Sequence, residues 1–401
     1  MTGHESRRRI ALYSHDTQGL GHIRRNIALA SALVAAHPAT DVLLLTGAPE
    51  ATCLPLPPWT ETVTLPTLRK DIQGRYRPRV LGTSLTDLLR IRAQLIGSAV
   101  ASFEPDLFVV DKVARGIGGE LDQALRTLRH RSTKVVLGLR DVLDSPSVTF
   151  SEWRAAGISE TVRDLYDQVW VYGDPGVYDA ASAYGWSWPV RSKMIYTGYL
   201  AHGRSRSAES HRPRAADPAP PVDPYVLCLV GGGQDGGQLA EAFLAADLPV
   251  GHRGVLLTGP YLPPDRREQL DRMVSRRPEM SIHRFVSRAE EFIGSAAATV
   301  TMGGYNSVCE SLAAGGPTLV VPRVVPRVEQ VMRADALSRA GWLDVLLPAE
   351  LSPGRIGGWL AAAVIGGRRP RRPIDLDGLA RVPRLVDGLL ERSSEVVHAV
   401  G

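Results

Sequence analysis

Short apolar runs rich in β-branched residues alternate with longer helix-like stretches along the whole chain, in two successive sets. Such a run followed by a helical period reads as a βα unit, and a series of βα units buries its strands in a mostly parallel sheet covered by helices. The first strands are expected at Ile10 to His15, Asp41 to Thr46, Leu107 to Asp111, Lys134 to Leu139, Val169 to Tyr172 and Met194 to Thr197. The second set is expected at Tyr225 to Val230, Val255 to Thr258, Ser281 to Phe285, Thr299 to Met302, Thr318 to Val321 and Asp344 to Leu347. Between them, His202 to Pro224 is rich in Arg, Ser and Pro and nearly empty of large apolar residues, so it cannot pack a core. The fold class expected is α/β, with two Rossmann-like βαβ domains at 1–200 and 225–372 and a linker at 201–224. A closing helix within 373–401 should pack back toward the first domain, after a solvated basic turn at Gly366 to Pro373.

Composition narrows the partners. Cys53, Cys228 and Cys309 are scattered and form no CxxC pair, which excludes a disulfide framework and fits a reducing, cytoplasmic setting. No apolar run reaches membrane-spanning length, and Met1 to Ile10 lacks the apolar stretch of a secretory signal. The net charge of +5 invites a nucleic-acid reading. The distribution opposes it, because lysine occurs only at positions 70, 112, 134 and 193, and the arginines are spread among acids. A modest positive field favours small anions such as nucleotide diphosphates.

Three glycine turns follow strands. After Val230 come Gly231, Gly232, Gly233, Gln234, Asp235, Gly236 and Gly237, then a helix, an arrangement that frees backbone amides for a phosphate. The run contains GxGxxG, but the next strand ends in Thr258, Gly259 and Pro260, where a dinucleotide fold would place a ribose-binding acid. It also lacks the Gly-Lys-Ser/Thr ending of a P-loop. The first strand leads into His15, Asp16, Thr17, Gln18, Gly19, Leu20, Gly21 and His22, which puts His22 at a helix start on the carboxyl edge of the sheet. An imidazole there can act as a base, with His15 and Asp16 competing for the role. The third turn is Gly303, Gly304, Tyr305, Asn306, Ser307, with Glu310 one helical turn on, so Asn306, Ser307 and Glu310 can address one ligand. Downstream, Arg323, Arg327, Glu329 and Gln330 occupy a Pro-bounded loop that runs into a helix.

In this order the segments resemble the GT-B glycosyltransferases, most closely the branch of the peptidoglycan lipid-intermediate N-acetylglucosaminyltransferase and related predicted glycosyltransferases. Gly231 to Gly237 is similar to that family's GGSQG-type loop, and Gly303 to Pro322 to its donor-site turn, helix and strand. Glu329 and Gln330 match the pair that follows. The resemblance implies a GT-B fold and a nucleotide-diphosphate sugar, most simply a UDP-sugar, as co-substrate with no other cofactor. It further implies that Glu310 holds the ribose hydroxyls and that Glu329 and Gln330 address the donor sugar. Gly232, Gly233, Gln234, Gly304, Asn306 and Ser307 would surround the diphosphate and ribose, with Phe285 beside the base. His22 matches the histidine of the N-terminal glycine loop. Pro105 to Lys112 and Leu137 to Asp141 resemble the predicted branch.

The chemistry expected is displacement at the anomeric carbon by an acceptor hydroxyl, inverting and without a metal. His22 is the expected base, Asp111 orients it, and loop amides with Arg323 or Arg327 relieve the charge on the leaving diphosphate. His15, Asp16, Gly21 and Arg140 lie on the acceptor side. The acceptor would be a small molecule or a lipid-linked one. The amphipathic, Arg-dotted stretch from Arg75 to Phe103 would meet the inner membrane face or line the cleft. A nucleotide-sugar epimerase on the same scaffold, a non-catalytic nucleotide-sugar binder and a Rossmann-type oxidoreductase are the alternatives.

Overall fold

The computed structural model describes residues 7–16, 19–70, 75–204, 218–232, 235–366 and 371–400. The first seven-stranded sheet contains β1 (Arg8–Ser14), β2 (Thr40–Thr46), β3 (Thr60–Thr64), β6 (Leu107–Asp111), β7 (Lys134–Arg140), β8 (Gln168–Tyr172) and β9 (Met194–Tyr196). A small antiparallel hairpin, β4 (Leu68–Lys70) with β5 (Tyr76–Pro78), stands outside it. The strand order is β3-β2-β1-β6-β7-β8-β9 with every neighbouring pair parallel. Such strands are buried on both faces, which explains their nearly unbroken apolar sequences. Ile10 and Leu12 of β1 enter one core layer, and Ala11 and Tyr13 enter the layer on the opposite face.

The second sheet takes the order β12-β11-β10-β13-β14-β15, again all parallel. Its strands are β10 (Tyr225–Leu229), β11 (Arg253–Leu257), β12 (Met280–His283), β13 (Ala298–Thr301), β14 (Thr318–Val320) and β15 (Asp344–Val345). In both sheets the chain winds outward one way and then reverses, between β1 and β6 and between β10 and β13. Ligands of open parallel sheets bind beyond the carboxyl ends of the strands at such a reversal.

Several expectations need correction. β3 reads Thr-Glu-Thr-Val-Thr and carries no apolar run, because an edge strand needs little apolar surface; only Thr60 is fully buried. Arg75 to Phe103 is not one amphipathic stretch: β5 comes first, and the helix Leu85–Phe103 starts at Ser84, whose hydroxyl accepts from the Asp87 amide. Arg284 and Phe285 lie beyond the end of β12. Most of the expected linker falls at 205–217, outside the described residues. Residues 367–370 of the basic turn also lie outside them. Arg371, within the same turn, is not simply solvated: its guanidinium stacks 4.8 Å over the Trp342 ring and donates to the Gly315 carbonyl at 3.0 Å. The last helix, Gly378–Val400, packs on the first domain, where Val382 and Val386 join the layer containing Leu33, and Asp387 meets Arg8 at 2.8 Å.

Candidate active site

The reversal of the first sheet brings together the loop after β1 and the end of β6. His22, in the first turn of the helix Gly21–Ala36, meets the Asp111 carboxylate through Nδ1. Asp111 also receives Arg25 Nε at 2.9 Å and Nη2 at 2.6 Å. Arg25 Nη2, which can only donate, also lies 2.9 Å from His22 Nδ1, but the closer Asp111 carboxylate can only accept, which favours the hydrogen on Nδ1 and a lone pair on Nε2. Burial pushes the His22 pKa below its ordinary value, with Arg25 acting in the same direction and Asp111 opposing both. Burial alone would raise the Asp111 pKa, but Arg25 and His22 outweigh it and hold the carboxyl well below the usual range. These directions favour the neutral imidazole of His22 beside the ionised carboxylate of Asp111.

The neighbours of His22 are fixed in other ways. Asp16 is buried and spends its oxygens on the loop: one accepts from the Ile23 amide at 3.1 Å, the other from Thr46 at 2.7 Å and from Ser14. These bonds hold the start of the helix that carries His22. His15 is buried with its ring 4.4 Å from that of His22, and its Nδ1 has no partner. Burial, His22 and Lys112 together hold its pKa well down. Thr17 and Gln18 lie outside the described residues.

The second sheet's reversal supplies the opposite wall. Gly231 and Gly232 follow β10, while Gly233 and Gln234 lie outside the described residues. A side-chain carbon at Gly232 would come within 3.4 Å of Gly19 Cα, so the two glycine turns approach each other closely. Gly259, where a dinucleotide fold would carry its acid, has a φ of +74°, and a carbon there would lie 2.2 Å from the Gly231 carbonyl oxygen. That position braces the glycine loop and leaves no room for a carboxylate.

After β13, Gly304 leads into the helix Tyr305–Ala314. Asn306 donates to the Gly21 carbonyl at 2.8 Å and accepts from Arg204 at 3.2 Å. Glu310, 4% exposed, faces Arg24 at 3.3 Å and Arg204 at 3.5 Å. Ser307 is half-buried on the same turn, and Phe285, two residues beyond β12, is exposed. Arg323 joins the glycine loop to the downstream loop, reaching Asp235 and Glu329 at 3.0 Å each. Gln330 is tied down, its oxygen accepting from the Arg323 amide at 2.9 Å. Burial tends to raise the Glu329 pKa, but Arg140, Arg323, Arg333 and Lys112 lower it further.

Arg327 pairs with Asp144 at 2.9 Å and Glu152 at 2.6 Å on the first domain. Three contributors escape a reading of the sequence. Arg25 is one helical turn from His22, a spacing that could have flagged it. Arg333 is fully buried and crosses the domain boundary to Asp141 at 2.7 Å. Arg204 lies at the edge of a segment whose composition reads only as linker.

Compared by sequence, the chain matches no protein-family model and no curated protein. Solved structures match over nearly the whole chain. The glycosyltransferase SnogD from Streptomyces nogalater superposes with a TM-score of 0.56 at 16% identity, over 98% of this chain and 100% of that one. The glycosyltransferase VinC in complex with DTDP gives 0.54 at 14%, over 97% and 98%. A putative UDP-N-acetylglucosamine 2-epimerase from Listeria monocytogenes gives 0.59 at 12%, over 97% of each chain. With two parallel sheets turning their reversal points toward a shared cleft, this chain has the two-domain GT-B fold.

Proposed function

We propose that the protein transfers a sugar from a nucleotide-diphosphate sugar to an acceptor hydroxyl, with inversion at the anomeric carbon and no metal. The observation that carries this reading is the pairing across the cleft: the turn that carries His22, anchored on Asp111, meets the Gly231–Gly232 turn at Gly19 and the Asn306–Glu310 helix turn at Gly21. In the reading, Nε2 of His22 takes the proton of the acceptor hydroxyl as that oxygen attacks the anomeric carbon. The bond to the diphosphate breaks, and the leaving charge is met by amides of the Gly231–Gly232 turn, the start of the Tyr305–Ala314 helix and Arg323. Glu310 holds the ribose hydroxyls, and Glu329 with Gln330 addresses the sugar. Sugar transfer is supported by the likeness to the glycosyltransferases SnogD and VinC, and an epimerase by the likeness to the Listeria protein.

A thermal-shift panel of uridine and deoxythymidine diphosphate sugars, followed by product analysis with and without acceptors, tests the assignment. Conversion of the donor to an isomer with no acceptor present would move the reading to the epimerase. Glu310→Gln should weaken donor binding by about 1.5 to 3 kcal/mol, because a neutral amide replaces the charged acceptor of a buried hydroxyl pair. Calorimetry with UDP and TDP measures it, and unchanged affinity removes the ribose assignment.

A lipid-linked acceptor would be approached on the surface formed by the turn after β5 and the helix Leu85–Phe103, where Val80, Leu81, Ile91 and Leu95 are exposed. None of the helices described is long and apolar enough to cross a membrane. Flotation with anionic liposomes should carry the protein upward and lose it in Val80→Asp/Leu81→Asp; protein that stays at the bottom removes the membrane contact.

A further inference from the structure

We propose that Lys112 and Arg140 form a receptor for an oxyanion, a phosphate or carboxylate, borne by the acceptor close to the hydroxyl that takes the sugar. The inference deepens the reading above and rests on it for the word acceptor; the oxyanion site itself does not. Lys112 directly follows β6 and Arg140 ends β7, so both stand at the carboxyl edge of adjacent strands, one residue and one strand away from Asp111. The amide of Lys112 donates to the Gly138 carbonyl at 2.8 Å, which fixes the two strand ends together.

The charges around this point do not balance. Glu329 is the acid that acts on both cations, and one of its oxygens already belongs to Arg323 while the other has no hydrogen-bond partner. The other cations here are engaged: Arg333 by Asp141, Arg327 by Asp144 and Glu152, and Lys70 by the ring of Tyr76 at 4.9 Å. Lys112 and Arg140 alone in this group make no ion pair, side-chain hydrogen bond or cation–ring contact with any described residue. Arg140 Nε is sealed from solvent without a partner. A desolvated guanidinium nitrogen with no acceptor is costly, and an oxygen anion is the ligand that would offset it.

Two further features agree. Lys112 has a φ of +68°, a left-handed conformation that a lysine seldom takes and that turns the chain at the sheet edge. Burial, with Arg140, Arg327 and Lys70 adding repulsion against the single attraction of Glu329, brings the Lys112 ammonium down to about 7. Burial, Arg333 and Arg25 bring Arg140 down to about 10, against Glu329 and Asp111. A bound oxyanion would add an attraction that opposes these effects in both groups.

The chain has four lysines, so reductive methylation with 13C-formaldehyde gives a lysine spectrum simple enough to assign, with Lys112→Arg identifying the Lys112 signal. With inorganic phosphate or pyrophosphate as the probe, the Lys112 signal should titrate about one pH unit or more higher than without it. The signals of Lys70, Lys134 and Lys193 should move less, and Arg140→Met should abolish the difference. A Lys112 signal that ignores both anions, or four lysines that shift alike, overturns the site. Calorimetry then separates the sources of the oxyanion. Lys112→Met and Arg140→Met should leave the affinities for UDP, UDP-glucose and UDP-glucuronate unchanged. A tenfold or larger loss for UDP would assign the oxyanion to the donor diphosphate, and a loss for UDP-glucuronate alone to the donor sugar; either outcome overturns the acceptor assignment. If no nucleotide sugar binds while the Lys112 signal still responds to phosphate, the glycosyl-transfer reading fails and the oxyanion site stands.

Discussion

His22→Ala lowers kcat by about 10²- to 10⁴-fold and leaves donor affinity within about twofold, because the imidazole acts on the acceptor proton and not on the nucleotide. Its pH behaviour follows from its surroundings. Burial disfavours the imidazolium, so the lone pair on Nε2 persists to lower pH than in a free histidine. The acid limb of kcat/KM should therefore lie below 6.5, with activity lost as pH falls through the lowered value. Asp111→Asn should move that limb lower still, since the carboxylate is what favours the charged ring. It should also depress turnover, because the amide can no longer dictate which nitrogen holds the hydrogen. A His22→Ala protein with near-normal turnover assigns the base elsewhere, and a limb above 6.5 contradicts a neutral, desolvated ring.

The second large effect is on stability. Asp141→Leu alone strands the fully buried Arg333, and Arg333→Met alone strands Asp141, so each should cost on the order of 3 to 5 kcal/mol. The double variant should recover most of that loss, because an apolar pair of similar volume removes both desolvated charges together. Chemical denaturation of the four proteins measures it. If the double variant is as unstable as either single one, the pair contributes through specific hydrogen bonds, such as Arg333 to the Val142 and Gly303 carbonyls, more than through charge. Because the pair joins the domains, the single variants should also separate the unfolding of the two halves.

Much of the architecture was legible because parallel strands buried on both faces have to be apolar throughout. Ala-Leu-Tyr-Ser, Leu-Phe-Val-Val and Tyr-Val-Leu-Cys-Leu declare β1, β6 and β10 with no partner in view. β3 and the β4–β5 hairpin stayed hidden because edge and surface strands need no such run. In the site, the glycine turns could be read because a left-handed backbone, as at Gly19, Gly231 and Gly303, favours little else. The hydrogen bonds Asp16 accepts from Ser14, Ile23 and Thr46 were not legible, because Thr46 comes beside it only through the pairing of β1 with β2.

Two series of βα units and the positions of their phosphate-type turns are written locally in the chain, since strand burial and backbone turning are demands that each segment must meet with its own residues. Only the tertiary structure decided which of those turns meet. His22 and Asp111 are 89 positions apart and become partners because β6 adds beside β1. Arg333 meets Asp141, and Arg24 meets Glu310, because the two sheets present their reversal points to each other. Charge pairing across such distances leaves no period and no motif in a single chain; it is fixed by strand order and domain docking, which depend on every core layer at once.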